Sequence, residues 1–234
     1  MKATWKNITI IGTSHISKSS IKEIADFFLI EHPDVVAVEL DRARYHALMH
    51  EEKPSIHLGL VRRIGVSGFL FALIGRAIQK KLGNIVGTAP GADMKCAIDL
   101  ALEHHTGLQL IDQHIEETLA DFSKRFTLRE KLRMLKDIII PPEEAKSLKL
   151  VRQDLRRVPD QQLITRILSF ISSRYPGLFE ALIGKRNRHM ARKLFMMHHE
   201  PAGKKILAVV GAGHLQGVIE ELKRLERTID VVSK

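Results

Sequence analysis

Two short motifs of one form stand out in this chain of 234 residues. Gly12-Thr13-Ser14-His15 follows the apolar run Ile8 to Ile11, and Gly211-Ala212-Gly213-His214 follows the apolar run Ile206 to Val210. Each places a histidine three residues beyond a glycine that closes a buried-strand signal, at the entry to an amphipathic stretch. Two imidazoles that converge there suit a divalent metal. The alternative is that each only hydrogen-bonds a loop or caps a strand end. Glu39 is the third candidate, inside the run Val35 to Leu40. A carboxylate at the end of a buried run is costly unless it is paired or bound to a metal. It would act as a ligand or as a general base towards bound water, or else pair with Arg42 or Arg44.

Arg186 and Asn187 complete the set. Arg186 lies four residues from both Leu182 and Met190, and Asn187 four from both Ile183 and Ala191. Both therefore fall within an apolar helical stripe. A guanidinium facing inward pairs with a carboxylate or awaits an anionic group, unless it snorkels to the surface along its own stem. The other histidines offer less. His104-His105 and His198-His199 are neighbours, about 100° apart on a helix, and cannot clamp an ion from one face. His46 and His50 are four apart but lack the glutamate that a zincin helix carries. Gly83 to Gly87 lacks the Lys and Ser/Thr of a phosphate loop, and no Gly-x-Ser-x-Gly elbow is present.

The elements that must position these residues read as α/β. Ile8 to Ile11 is a strand, and Ile21, Ile24, Ala25, Phe28 and Leu29 form a helical stripe. Val35 to Leu40 is a second strand, so β-α-β with a right-handed parallel crossover follows. A stripe through Met94, Ala97, Ile98, Ala101 and Leu102 leads to a strand at Leu108 to Ile111. Ile206 to Val210 is a further strand, Leu215 to Leu225 a helix, and Ile229 to Val232 a last strand. Between these lie a mostly apolar helix over 57–82 and a helical insertion over about 114–199, with breaks at Pro141-Pro142, Pro159 and Pro176. The expected architecture is a mainly parallel central sheet flanked by helices, with a large helical insertion before the last strands. Because the sheet needs both ends of the chain, residues 1–234 are expected to form one domain.

Composition narrows the function classes. A hydrophobic fraction of 44% excludes disorder, and one cysteine, Cys96, excludes a disulfide framework or a thiolate-rich metal site. The net charge of +10 is local. Residues 121–200 hold 18 Lys and Arg against 9 Asp and Glu, a balance of +9 that leaves +1 for the rest. A basic face of this kind attracts nucleic acid, anionic lipid or acidic substrate, or is simply a set of solvated helix faces. No aromatic residues interleave with Arg152, Arg156 and Arg157, so nucleic acid is not the expected partner. No stretch reads as a signal peptide or a membrane span, and a cytoplasmic protein is expected. The apolar stretch 57–82 offers a face for a homodimer.

Together these residues resemble the TraB/PrgY, or pheromone-shutdown, family, which is related to the Tiki and GumN proteins. The resemblance runs from Gly12-Thr13-Ser14-His15-Ile16-Ser17 through Pro33 to Asp41 and Arg44-Tyr45, Pro90 to Met94, Leu110-Ile111-Asp112, Arg186 to Ala191 and Val210 to Gly217. It covers nearly the whole chain in order. It implies an α/β fold with His15, Glu39, Arg186 and His214 at the signature positions. In Tiki proteins the two Gly-x-x-His motifs and the early glutamate belong to a metal-dependent peptidase site that uses manganese or cobalt. By this resemblance His15, Glu39 and His214 would hold a divalent ion, Arg186 would stabilise an oxyanion, and Asn187 would orient substrate. The substrate would be a peptide or other small molecule. The alternative within the same resemblance is a non-catalytic peptide- or ligand-binding protein of the pheromone-inhibitor type. The chain departs from the family pattern at Lys185 and Asn187, where Glu and Asp are usual, and at Asp93, where Glu is frequent. It departs again at Gln113-His114, where Arg-Asp is common, which makes His114 a candidate replacement ligand. Many archaeal members add C-terminal membrane helices, and membrane anchoring is not expected to carry over.

Overall fold

A computed structural model describes residues 1–13, 18–50, 62–65, 69, 91–144, 161–200 and 203–232. Its centre is a five-stranded sheet of β1 (Lys2–Trp5), β2 (Ile8–Thr13), β3 (Val35–Val38), β4 (Gly107–Leu110) and β5 (Ile206–Gly211), in the order β1-β2-β5-β3-β4. β1 runs antiparallel to β2 across a two-residue turn at Lys6-Asn7, and all other neighbours are parallel. β5 lies between β2 and β3, in register from Ile8 opposite Ile206 and from Val35 opposite Ile206. β5 is buried at every position because helices cover both faces, which is why it reads as an unbroken apolar run.

The helices are α1 (Lys18–Glu31), α2 (Arg42–Met49), α3 (Ala92–Glu103), α4 (Ile115–Arg125), α5 (Leu128–Ile139), α6 (Gln161–Arg174), α7 (Pro176–Phe179), α8 (Lys185–His198) and α9 (Ala212–Val232). A π-helical turn at Glu180–Gly184 joins α7 to α8. α8 and α9 cover one face of the sheet, with Met190, Ala191, Leu194, Leu215, Val218 and Leu222 against Ile8, Ile10, Ala208 and Val210. On the other face α1 and α3 bring Ile24, Phe28, Met94, Ala97, Ile98 and Ala101 against Ile11, Val36, Val38, Leu207 and Val209. The expected mainly parallel sheet with flanking helices is what folds.

Three local expectations change. The strand expected at Ile229 to Val232 is the last turns of α9. No glycine or proline interrupts the chain after Gly217, so the helix carries through β-branched residues of lower helix propensity. β1 is an added antiparallel edge, too short and polar to read from pattern. The insertion breaks at Phe126-Thr127 as well as at Pro141-Pro142 and before Pro176, because Thr127 and Glu130 form a capping box that starts α5. Pro176 opens a helix at its first turn. The insertion has a small core of Phe122, Phe126, Tyr175 and Ala181. Gly177 closes it, since a Cβ there would lie 2.1 Å from the Arg125 carbonyl oxygen. Most of the apolar stretch 57–82, the Pro159 break and Gly83 to Gly87 lie outside the described residues.

Candidate functional site

Four parallel neighbours end side by side, and a polar side chain stands at or just past each carboxyl end: Thr13 on β2, Gly211 and then His214 on β5, Glu39 on β3 and Asp112 on β4. This edge is where open α/β sheets bind ligands. Arg186, at the start of α8, reaches over it.

Arg186 contacts nearly every polar group there. Its Nη2 donates to Glu39 Oε1 and, at 2.5 Å, to Asp112 Oδ2. Its Nε lies 3.1 Å from both Asp112 oxygens, and Nη1 lies 3.0 Å from His214 Nε2 and 3.3 Å from the Leu182 carbonyl. The π turn sets up that last contact by placing Leu182 O within reach of the guanidinium. The other oxygen of Glu39 accepts from the Gly211 N–H at 2.6 Å, tying β3 to the glycine that precedes His214. Asp112 is shared. Its Oδ2 also takes Arg44 Nη2 at 2.5 Å, while its Oδ1 accepts the Gln113 N–H at 2.8 Å. Arg44 in turn donates from Nε to Asp41, the N-cap of α2, at 2.9 Å.

The protonation of His214 follows from donor chemistry. A guanidinium can only donate, so Nε2 facing Arg186 must accept, and the ring proton sits on Nδ1. Nδ1 lies 2.7 Å from Asn187 Oδ1, which takes that proton as acceptor. Asn187 has no slack, because a Cβ on Gly217 would lie 2.1 Å from its Nδ2. With its proton on Nδ1, the ring accepts from Arg186 at Nε2, which lies 3.4 Å from Glu39 Oε1.

Three carboxylates, Glu39, Asp41 and Asp112, meet two guanidiniums, Arg44 and Arg186, so this group of five carries a net −1. Burial by itself would raise the Asp112 carboxyl, but Arg186 and then Arg44 outweigh it and hold the group below its ordinary range. Burial likewise disfavours charge on Arg186, and Glu39 and Asp112 overcome that and raise it. Beside the group, Thr13 Oγ1 donates to Asp93 at the start of α3.

Glu39, Arg186, Asn187 and His214 are therefore brought together. His15 lies outside the described residues. Glu39 pairs with Arg186, and the Arg186 side chain turns inward, 15% exposed, rather than snorkelling. His114 caps α4 through the Glu116 N–H at 3.4 Å, and Lys185 pairs with Asp121 of α4. Asp112 and Asp41 are not site candidates from sequence, and Arg44 enters there only as an alternative partner of Glu39. The available signal was that Asp112 closes the β4 run as Glu39 closes that of β3.

The donor set partly fits a divalent ion. Two ligands sharing a tetrahedral ion at bonds of roughly 2.1 Å stand about 3.4 Å apart, which is the spacing of Glu39 Oε1 and His214 Nε2. Among the described residues no group of three His, Cys, Asp or Glu is placed to hold a metal, and Arg186 lies against both donors.

Comparison with known proteins identifies the family. The TraB/PrgY/gumN family model matches residues 2–230. An uncharacterized protein of Methanocaldococcus jannaschii, MJ1365, is 33% identical over 228 residues, covering 96% of this chain and 55% of that protein. TraB domain-containing proteins of Bos taurus and Homo sapiens are 20% and 22% identical, each over 90% of this chain and 61% of their own length. The chain thus spans a little over half the length of the relatives it matches. It belongs to the TraB/PrgY/gumN family.

Proposed function

We propose that this chain is a metal-dependent hydrolase acting on peptides, with Glu39, His214 and His15 as the ligands of a divalent ion, manganese or cobalt by resemblance to the Tiki proteins. The observation that supports this reading is the 3.4 Å approach of Glu39 Oε1 to His214 Nε2, on a ring whose Nδ1 is held by Asn187. An outer acceptor that fixes the tautomer is what a ligating histidine requires. The net negative charge of the surrounding group favours a cation.

A bound divalent ion would polarise a carbonyl and lower the pKa of water. The chain's own groups do the rest. With Oε2 held on the Gly211 N–H, Glu39 Oε1 is the oxygen that would serve as ligand once Arg186 withdraws from it. Arg186 withdraws without losing its charge partner, since Asp112 holds it through Nε and Nη2. Its Nη1 then has a donor to offer to a developing oxyanion. Asn187 holds the His214 ring through each of these changes.

The second reading is a non-catalytic binding protein for a peptide or small ligand, in which Arg186 remains on Glu39 and His214 and itself meets an anionic group. It is favoured by the guanidinium lying against both donors. Metal analysis of the purified protein, followed by peptide cleavage with and without manganese, separates the two. Bound metal with manganese-dependent cleavage lost in Glu39→Gln supports the hydrolase. Absence of both supports the binding protein.

A further inference from the structure

A cavity of about 500 Å³ opens beside Asp112, between the exposed edge of β4 and α8. Among the described residues β4 pairs only with β3. In that parallel ladder Gly107 N–H donates to Asp34 O and Ile111 N–H to Val38 O, so alternate residues turn inward. The N–H and C=O of Leu108 and of Leu110 accordingly face the open edge. Lys193 Nζ, 2.9 Å from Leu110 O, marks that side. Two buried polar atoms at the same cavity have no hydrogen-bond partner among the described residues. One is Oε1 of Gln113, a residue only 2% exposed whose Nε2 is occupied by Thr118 at 2.7 Å. The other is Nε2 of His189. A buried polar atom left unpaired costs roughly 1–3 kcal/mol and so calls for a partner, a water or a ligand, in the cavity.

We propose that this edge and cavity are the subsite for an extended peptide, which adds beside β4 as a further strand. Its backbone pairs with Leu108 and the Leu110 N–H, and Gln113 Oε1 accepts one of its N–H groups. Backbone pairing gives affinity with little demand on side chains. Because Asp112 both lines the cavity and holds Arg186, a peptide laid here leads directly to the Glu39–His214 pair. This deepens the peptide reading above and rests on it for the direction of the chain, though not for the binding itself.

The test is amide hydrogen exchange on the full-length Glu39→Gln protein with an N-acetylated hexapeptide of alternating alanine and threonine at millimolar concentration. Exchange at Leu108 and Leu110 should slow while Gln109, already paired to β3, stays unchanged. The same peptide N-methylated at every residue should give no protection. Gln113→Leu should weaken binding about fivefold, the loss of one hydrogen bond. Unchanged exchange at Leu108 and Leu110, or equal protection by the N-methylated peptide, overturns the subsite and leaves Lys193 as a guard of a sheet edge. Protection without cleavage by the manganese-loaded wild type keeps the subsite and rejects the hydrolase. Cleavage with no change at β4 does the reverse.

Discussion

Arg186 Nη1 sits 3.0 Å from His214 Nε2, and this one contact determines the state of the imidazole. The guanidinium has no acceptor, so His214 accepts at Nε2 and donates its Nδ1–H to Asn187 Oδ1. The same contact means that a ligand for Nε2 must displace Arg186, which Asp112 is positioned to retain.

Glu39→Gln keeps the side chain's size and its bond from the Gly211 N–H, but removes the charge facing Arg186. Peptide turnover should fall about a hundredfold or more. Stability should fall by only about 1–3 kcal/mol, because Asp112 still neutralises the guanidinium. Steady-state kinetics beside urea unfolding checks the split. A variant whose activity loss merely tracks its unfolded fraction would make Glu39 a structural partner of Arg186.

Asn187→Leu removes the acceptor for Nδ1–H. Manganese affinity should drop roughly 10–100-fold, as for other outer partners of ligating histidines. Nitrogen-15 shifts of the His214 ring should show the loss of a single tautomer even without metal. Gly217→Ala should reproduce both effects, since its Cβ would occupy the position of Asn187 Nδ2. Unaltered ring shifts in both variants would disconnect Asn187 from His214.

Acid should destabilise the protein through two lowered carboxyls. The Arg174 hydrogen bond, together with one from Tyr175, holds Asp137 at about 2 against an ordinary 3.8. The folded state therefore binds fewer protons than the unfolded chain over that interval. Its contribution is complete above the unfolded value and is lost as pH falls through the folded one. Asp112 has the same sign, since it is also lowered. Melting temperature followed from pH 5 downwards should decline, and Asp137→Asn should flatten the decline between about pH 4 and pH 2. Asp112→Asn should cost about 1–3 kcal/mol at neutral pH, because it leaves two half-buried guanidiniums short of their shared carboxylate. An unchanged acid limb in Asp137→Asn would mean that the Asp137–Arg174 pair is already broken in solution.

The basic balance of residues 121–200 should act as a solvated surface. Duplex and single-stranded DNA should bind weakly at low salt and be released by roughly 200 mM, as counterion exchange requires. Retention above that salt in a filter or anisotropy assay would identify a nucleic-acid site in the insertion.

Most of the scaffold is legible in the sequence because its signals are local. Ile8 to Ile11, Val35 to Val38 and Ile206 to Val210 are apolar runs that only a strand buried on both faces explains, and Met94 to Ala101 has the spacing of a helix face. The repeated Gly-x-x-His and the carboxylate closing a strand identify Glu39 and His214 as special before any fold is known. Strand order is different: β5 enters between β2 and β3 from more than 160 residues away, and no local pattern encodes that insertion. Only that order aligns Gly211 with Glu39 and puts Asp112 on the far side of Arg186. The roles of Asp112, Asp41 and Arg44 were hidden for the same reason, since a charged residue in a loop reads as solvated until burial removes its water. The tertiary structure decided which charges meet, because desolvation and pairing belong to three-dimensional neighbours, whereas periodicity belongs to the chain.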